Sequence, residues 1–164
     1  MTFMQTIEKL QVLGGECRVS NDAGVILYTV LGPCVSASIY DPVAGVGGMN
    51  HFMLPTDVKF DCEPSGQYGD QAMEMLVNEL CKMGADPSRL QAKLYGGRET
   101  HHRGRDIGEE NASMAHAFLS DSRIPIVDED TGGNSVRWVN FHPVSGRLHL
   151  KCTPQPSDFL SRIR

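Results

Sequence analysis

Apolar and polar residues alternate strictly along residues 35–40, and a period of two is typical of a strand with one buried face. Asp41 and Pro42 begin a turn, glycines follow, and residues 49–54 form a return run that Pro55 ends. Proline stops such a run because it cannot donate a hydrogen bond to a ladder. The pattern therefore predicts a half-buried β-hairpin with a loop at residues 41–46.

Two longer stretches repeat their apolar residues with a helical period. They predict one helix at residues 68–83, ended by Gly84, and another that begins at a capping Asp106 and ends near Ser120. Further strands are expected at residues 11–13, 17–19, 25–28, 90–94, 124–127, 136–142 and 148–152, with an acidic turn at 129–134. This order predicts an α+β domain with helices packed on sheet. We expect one domain over residues 1–164, with tails at about 1–9 and 154–164.

The predicted hairpin carries a thiol and an imidazole. If its loop is residues 41–46, Cys34 lies opposite Met53, and His51 is the diagonal neighbour of Cys34 on the same face. A loop longer or shorter by one residue would put the two side chains on opposite faces. A histidine beside a cysteine can take the thiol proton and create a thiolate nucleophile.

A structural role for each of these residues is the simpler alternative. A cysteine in an apolar strand is most often a small buried hydrophobe, and a single histidine most often has no catalytic role. A second polar segment, residues 96–105, holds three arginines and two histidines. It could cradle an anion, but a solvated surface loop is the favoured interpretation.

Composition narrows the class of function. The net charge of −5 argues against general binding to nucleic acid or to anionic membranes, which needs a basic surface. No apolar run approaches the length of a membrane span, and the first ten residues lack the apolar core of a secretory signal. Five widely spaced cysteines without a C-x-x-C pair predict free thiols in the cytoplasm and no metal or cofactor.

Short distinctive motifs run along most of the chain. The hairpin holds three of them, LGPCV at residues 31–35, YDP at 40–42 and GGMNHFMLP at 47–55. Others follow: YGDQAM at 68–73, MGA at 83–85, LQAK at 90–93, DIGEEN at 106–111 and EDTGG at 129–133, with Arg137 after them. In this order the motifs resemble those of the CheD family of chemoreceptor glutamine deamidases, and the resemblance covers about residues 10–151. It implies a layered α/β sandwich with the active site at the hairpin.

The resemblance also implies roles for individual residues. Cys34 would be the nucleophile and His51 the base, with Thr29 as a third catalytic member and Tyr28 as the alternative at that place. Gly32 and Pro33 would line the part of the active site that binds the substrate. Family members usually have serine where Pro33 stands, and proline supplies neither a hydroxyl nor an N–H.

The implied activity is that of a protein-glutamine glutaminase. It would convert glutamine side chains in the cytoplasmic domains of methyl-accepting chemoreceptors to glutamate, without a cofactor, and some family members also hydrolyse glutamyl methyl esters. The CheC phosphatase is the second partner that the resemblance implies. The alternative is a module that mainly binds chemoreceptors and CheC, with weak or no catalysis. A thiol-redox role ranks last, since Cys34 has no resolving cysteine nearby in sequence.

Overall fold

Two five-stranded sheets form the frame of the protein. A computed structural model describes residues 4–56, 65–101, 103–153 and 162–163. Along these residues the strands are β1 (Glu8–Gln11), β2 (Cys17–Ser20), β3 (Val25–Leu31), β4 (Val35–Asp41), β5 (Val46–Asn50), β6 (Gln91–Gly96), β7 (Ile126–Thr131), β8 (Val136–Phe141), β9 (Leu148–Thr153) and β10 (Arg162–Ile163). The helices are α1 (Gly69–Lys82) and α2 (Ile107–Asp121), with a short 3₁₀ helix at Pro87–Arg89.

The sheets and helices stack in three layers. The first sheet has the strand order β1-β3-β8-β9-β10, and the second has the order β2-β5-β4-β6-β7. Helices α1 and α2 pack on the outer face of the second sheet, where their apolar residues join those of β4 and β6 in one core. A second core fills the space between the two sheets. The expected α+β sandwich is confirmed.

Strand β4 is more deeply buried than its alternating sequence predicts. All seven of its residues are buried, although the alternating pattern predicted one solvent-exposed face. Val35, Ala37 and Ile39 face the helices, and Tyr40 faces the first sheet. The prediction of a half-buried strand is wrong because the first sheet covers the face that carries Ser36 and Ser38.

Element ends differ from the predicted ones in several places. Glu8 and Lys9, expected in a loose tail, pair in parallel with β3, and Arg162–Ile163 pairs with β9. The return strand of the hairpin runs over Val46–Asn50 rather than 49–54. The first half of the expected acidic turn, residues 129–131, belongs to strand β7, which continues to Thr131.

Both helices lie within a residue or two of their predicted bounds. Gly84 follows α1 with a φ of 98°, which fits the left-handed conformation expected of the residue that ends a helix. Residues 57–64 and most of the predicted tail at 154–164 lie outside the described residues. Within the described ranges, no helix is both long and apolar enough to cross a membrane.

Arg137 ties the two sheets together. It stands on β8 of the first sheet, is 3% exposed, and reaches the end of the second sheet. Its guanidinium pairs with Asp130 at 2.8 Å and donates to the carbonyl oxygens of Gly96 at 3.1 Å and Gly132 at 2.7 Å. Removing the guanidinium takes away a donor that three acceptors share in a largely buried site, which is unfavourable.

We therefore expect Arg137→Met to lower the free energy of unfolding by about 2–4 kcal/mol. Lys82→Met is the matched control, since Lys82 forms an exposed pair with Glu79 and surface pairs contribute less than about 1 kcal/mol. Urea unfolding of both variants measures the difference. Equal stability of the two variants would contradict a structural role for the Arg137 network.

Candidate active site

The register of the β4–β5 hairpin places Cys34 and His51. Asp41 pairs with Val46 and Ser38 with Met49, and an isolated bridge between Val35 and Phe52 continues the same register. The predicted pairing is therefore confirmed. Side chains alternate along a strand, so Cys34 and His51 share the face that looks toward the first sheet, as the packing of Cys34 in the inter-sheet core shows.

Thr29 meets His51 from the opposite sheet. Thr29 is buried on β3, and its Oγ1 lies 2.8 Å from Nδ1 of His51. The same hydroxyl donates to the carbonyl oxygen of Val12 at 2.7 Å, which also lies 3.3 Å from His51 Nδ1. Tyr28, the alternative to Thr29, directly precedes it on β3. Because side chains alternate along a strand, the Tyr28 side chain points to the other face of the first sheet.

These contacts select one tautomer of His51. A threonine hydroxyl has a single hydrogen, and the hydroxyl of Thr29 uses it for Val12 O. Its oxygen must then accept from His51, which places the imidazole hydrogen on Nδ1. The other ring nitrogen, Nε2, is left with a free lone pair that can accept a proton.

The backbone of His51 is fixed by the segment between β1 and β2. Gly15 N–H donates to His51 O at 2.7 Å, and His51 N–H donates to Glu16 O at 3.2 Å. The carbonyl of Val12 comes from the same segment. His51 is 9% exposed, so its ring is held on several sides. The described residues form no hydrogen bond between His51 and the Cys34 thiol, so the structure places the two on one face without joining them.

Burial keeps both groups neutral. Desolvation lowers the pKa of His51 below its ordinary value, although the Val12 carbonyl acts in the opposite direction. Desolvation also raises the pKa of the half-buried Cys34 thiol, and its own backbone N–H offsets part of that rise. Both shifts favour an uncharged thiol beside an uncharged imidazole at neutral pH.

The backbone on either side of Cys34 is tightly packed. Gly97 N–H donates to Cys34 O at 2.9 Å. Gly96 has a φ of 112°, and a Cβ there would lie 2.2 Å from Cys34 O, so only glycine fits. The Cys34 N–H donates to no backbone carbonyl of the described residues. Its contact with the sulfur of its own side chain is the one that offsets the rise in the thiol pKa.

Gly32 and Pro33 form the approach to Cys34. The carbonyl of Gly32 accepts from Arg98 N–H at 3.0 Å, and the Arg98 guanidinium lies over Gly32, with Nη2 3.6 Å from where a Cβ would be. The carbonyl of Pro33 accepts from the side-chain amide of Asn111 at 3.0 Å. Both residues therefore use their carbonyls to hold the turn that leads to Cys34.

Comparison with known proteins assigns the family. The model of the family described as CheD chemotactic sensory transduction matches residues 53–152. The chain is 44% identical over 140 residues to the probable chemoreceptor glutamine deamidase CheD of Agrobacterium fabrum, covering 85% of this chain and 77% of the relative. This chain belongs to the CheD family. It is also 48% identical over 145 residues to the protein of that name from Caulobacter vibrioides, covering 87% of this chain and 77% of the relative.

The candidate site lies inside the shared region. The family model begins at Met53, after Cys34 and His51, but an alignment over 85% of a 164-residue chain necessarily includes both. A solved structure, that of the Bacillus licheniformis hypothetical protein YfiH, overlays on 70% of this chain and 49% of its own, with a TM-score of 0.45 and 15% identity. The assignment to the CheD family does not depend on that likeness.

Two contributors to the site were missed from the sequence. Val12 acts through its backbone carbonyl, for which an amino-acid sequence carries no signal. Asn111 belongs to the CheD-like motif at residues 106–111, and that motif was the available clue. Four of the five cysteines, Cys17, Cys34, Cys81 and Cys152, are free thiols as predicted, and Cys62 lies outside the described residues.

The environment of His51 predicts its titration. Because burial lowers its pKa, we expect the ring to gain a proton only below about pH 6.5, the ordinary value for histidine. An unfolded chain takes up that proton at higher pH, so stability should fall as pH drops through this window. NMR titration of the ring, assigned with His51→Gln, measures the midpoint. A midpoint above the ordinary value would contradict the burial argument.

Proposed function

We propose that this protein is a protein-glutamine glutaminase that converts glutamine side chains of chemoreceptors to glutamate, with Cys34 as the nucleophile and His51 as the base. One observation carries the proposal. The contacts of Thr29 hold His51 with Nε2 free, on the face that bears Cys34. The names of the CheD relatives supply the reaction and the class of substrate.

The first half of the reaction forms a thioester. His51 Nε2 takes the thiol proton as the Cys34 sulfur attacks the carboxamide carbon of the substrate. The tetrahedral intermediate then collapses, and His51 returns the proton to the leaving nitrogen, which departs as ammonia. Thr29 orients the ring and stabilises its protonated form by accepting from Nδ1–H.

The second half restores the cysteine. His51, neutral again, takes a proton from a water molecule that attacks the thioester carbonyl. The carbon–sulfur bond breaks, the proton returns to the sulfur, and glutamate leaves. In both halves the N–H of Cys34 donates to the oxyanion. Pro33 cannot do so, because it has no N–H.

The neutral resting state requires general-base catalysis. Burial disfavours a preformed thiolate–imidazolium pair, since it raises the pKa of Cys34 and lowers that of His51. The proton must therefore move as the sulfur attacks. Substrate binding would bring the two side chains into contact, because catalytic hydrogen bonds often tighten only in the complex.

The surface beside His51 suits a protein substrate. Leu13, Met53 and Leu54 are all exposed, and Gly14, next to Leu13, packs against the Met53 side chain. Together these residues offer apolar contact beside the nucleophile. The substrate would be the cytoplasmic domain of a chemoreceptor, which places the reaction in the cytoplasm, and CheC would be a second partner.

The alternative function rests on the same half-buried thiol. Burial raises the pKa of Cys34, which disfavours the reactive thiolate and so fits a module that binds chemoreceptors and CheC with weak or no catalysis. The two functions differ in a measurable product, since only the deamidase releases ammonia from the receptor.

We expect Cys34→Ala to abolish deamidation of a chemoreceptor cytoplasmic fragment while the protein stays folded, because the variant lacks the thiol that forms the thioester. Mass spectrometry follows the small mass increase of amide-to-acid conversion. Cys81→Ala is the matched control, since Cys81 is a free thiol on α1 outside the hairpin. Equal conversion by the two variants would exclude Cys34 as the nucleophile, and binding without conversion by the unmodified protein would favour the alternative.

We expect Pro33→Ser to raise the single-turnover rate of ammonia release. A missing oxyanion donor costs about 10²–10³ in rate, and the gain should be smaller than this because Cys34 N–H already donates. Pro33→Ala restores the N–H without the hydroxyl and so separates the two contributions. If neither variant is faster than the unmodified protein, the proline is no handicap and its geometry suits the site.

A further inference from the structure

The hairpin opens into a fork directly at the cysteine. Its last backbone pair joins Val35 and Phe52, with hydrogen bonds of 3.1 and 3.0 Å. Along an antiparallel ladder, hydrogen-bonded residue pairs alternate with pairs that are not hydrogen-bonded. The next hydrogen-bonded pair after Val35 and Phe52 would therefore be Pro33 and Leu54. Pro33 has no N–H to give. Leu54 instead donates to Gln67 O at 3.1 Å and accepts from Gly69 N–H at 2.7 Å.

The side chain of Asn111 fills this fork. Its Nδ2 donates to Pro33 O at 3.0 Å and to Met53 O at 3.1 Å. The two carbonyls belong to the residue before Cys34 and to the residue opposite it. One amide group therefore replaces the missing ladder pair and fixes the separation of the two chain segments.

Helix α2 brings Asn111 to the fork by a close backbone approach. Gly108 packs so tightly that a Cβ there would lie 2.1 Å from Arg98 O and 2.5 Å from Gly97 O. Gly97 is the residue that donates to Cys34 O. The first turn of α2 thus rests on the backbone beside the cysteine, and Asn111 follows three residues later on the same side of the helix.

The oxygen of the Asn111 amide gains nothing from this position. Asn111 is 0% exposed, and its Oδ1 has no hydrogen-bond partner among the described residues. A buried acceptor without a partner is unfavourable. The two donated hydrogen bonds are therefore the reason for an asparagine at this position, and both act on the frame of Cys34.

We propose that Asn111 is a positioning residue, which holds the fork so that Cys34 stays half-buried and aimed at the face of His51. The inference depends on the proposed function only for its effect on turnover. Its effect on the thiol can be measured without any substrate.

The test substitutes Asn111→Leu, which keeps a similar volume and removes both donors. We expect the fork to loosen and expose the thiol, so that the pH midpoint for alkylation of Cys34 by iodoacetamide shifts downward toward the ordinary value for cysteine. Turnover of a receptor fragment should fall, by up to about 10²-fold for a displacement near 1 Å, with the KM little changed. Mass spectrometry locates the alkylated cysteine.

Leu119→Ala is the matched control. Leu119 is buried on the same helix and packs in the helix–sheet core, so its loss destabilises α2 without touching the fork. The control should leave the alkylation midpoint unchanged. An unchanged midpoint in Asn111→Leu, or the same shift in both variants, would overturn the proposal. If the unmodified protein deamidates nothing, the proposed function fails while the alkylation result still decides the role of Asn111.

Asn111→Asp gives an independent answer if the leucine variant does not fold. It is nearly isosteric, and its carboxyl can donate to one carbonyl only when protonated. Burial beside two carbonyl oxygens raises its pKa above that of the unfolded chain, so the loss of stability should be present at neutral pH and shrink as pH falls. Thermal unfolding against pH, relative to the unmodified protein, measures this. A loss that does not vary with pH would show that the two donors are not what the position requires.

Discussion

The hydroxyl of Thr29 is the contact on which the site depends. It lies on the first sheet, donates to the carbonyl of Val12 and accepts from His51, which follows the last strand of the hairpin in the second sheet. Three separate segments therefore meet at one oxygen atom. Because the hydroxyl has a single hydrogen, its direction toward Val12 determines which nitrogen of His51 carries a proton. The packing of the two sheets thus sets the tautomer of His51.

Cys34 is held by backbone contacts of another kind. Glycines at positions 96 and 108 allow two chain segments to approach more closely than any side chain would permit. The carbonyl of Cys34 is bonded to Gly97, and Asn111 bridges the carbonyls on either side of the fork. These contacts fix the backbone of Cys34 and leave its N–H directed to no backbone carbonyl of the described residues. Such rigidity is what preorganised stabilisation of an oxyanion requires.

The hairpin register was predicted only from an assumed loop at residues 41–46, since burial of both faces of β4 leaves the parity open. The observed pairing of Asp41 with Val46 is the one that this loop requires. The two helices were also predictable, since their apolar periodicity and their end residues agree. The burial of Ser36 and Ser38 was not, because it depends on a sheet formed by distant strands. The position of Glu129 within a strand was not predictable either. An acidic sequence disfavours a strand, but pairing with the parallel strand β6 places Glu129 in one. The role of Asn111 depends on where α2 packs, which no local pattern encodes.

Burial gives the resting site a consistent chemistry. The same desolvation raises the pKa of Cys34 and lowers that of His51, so each shift opposes the formation of a charged pair. A thiol kept protonated reacts slowly with oxidants and alkylating agents, because the thiolate is the reactive form. In the proposed reaction the proton leaves only when an acceptor and an electrophile are both in place. A molecule that does not bring Cys34 and His51 together then meets an unreactive thiol, and this is the source of selectivity in that scheme.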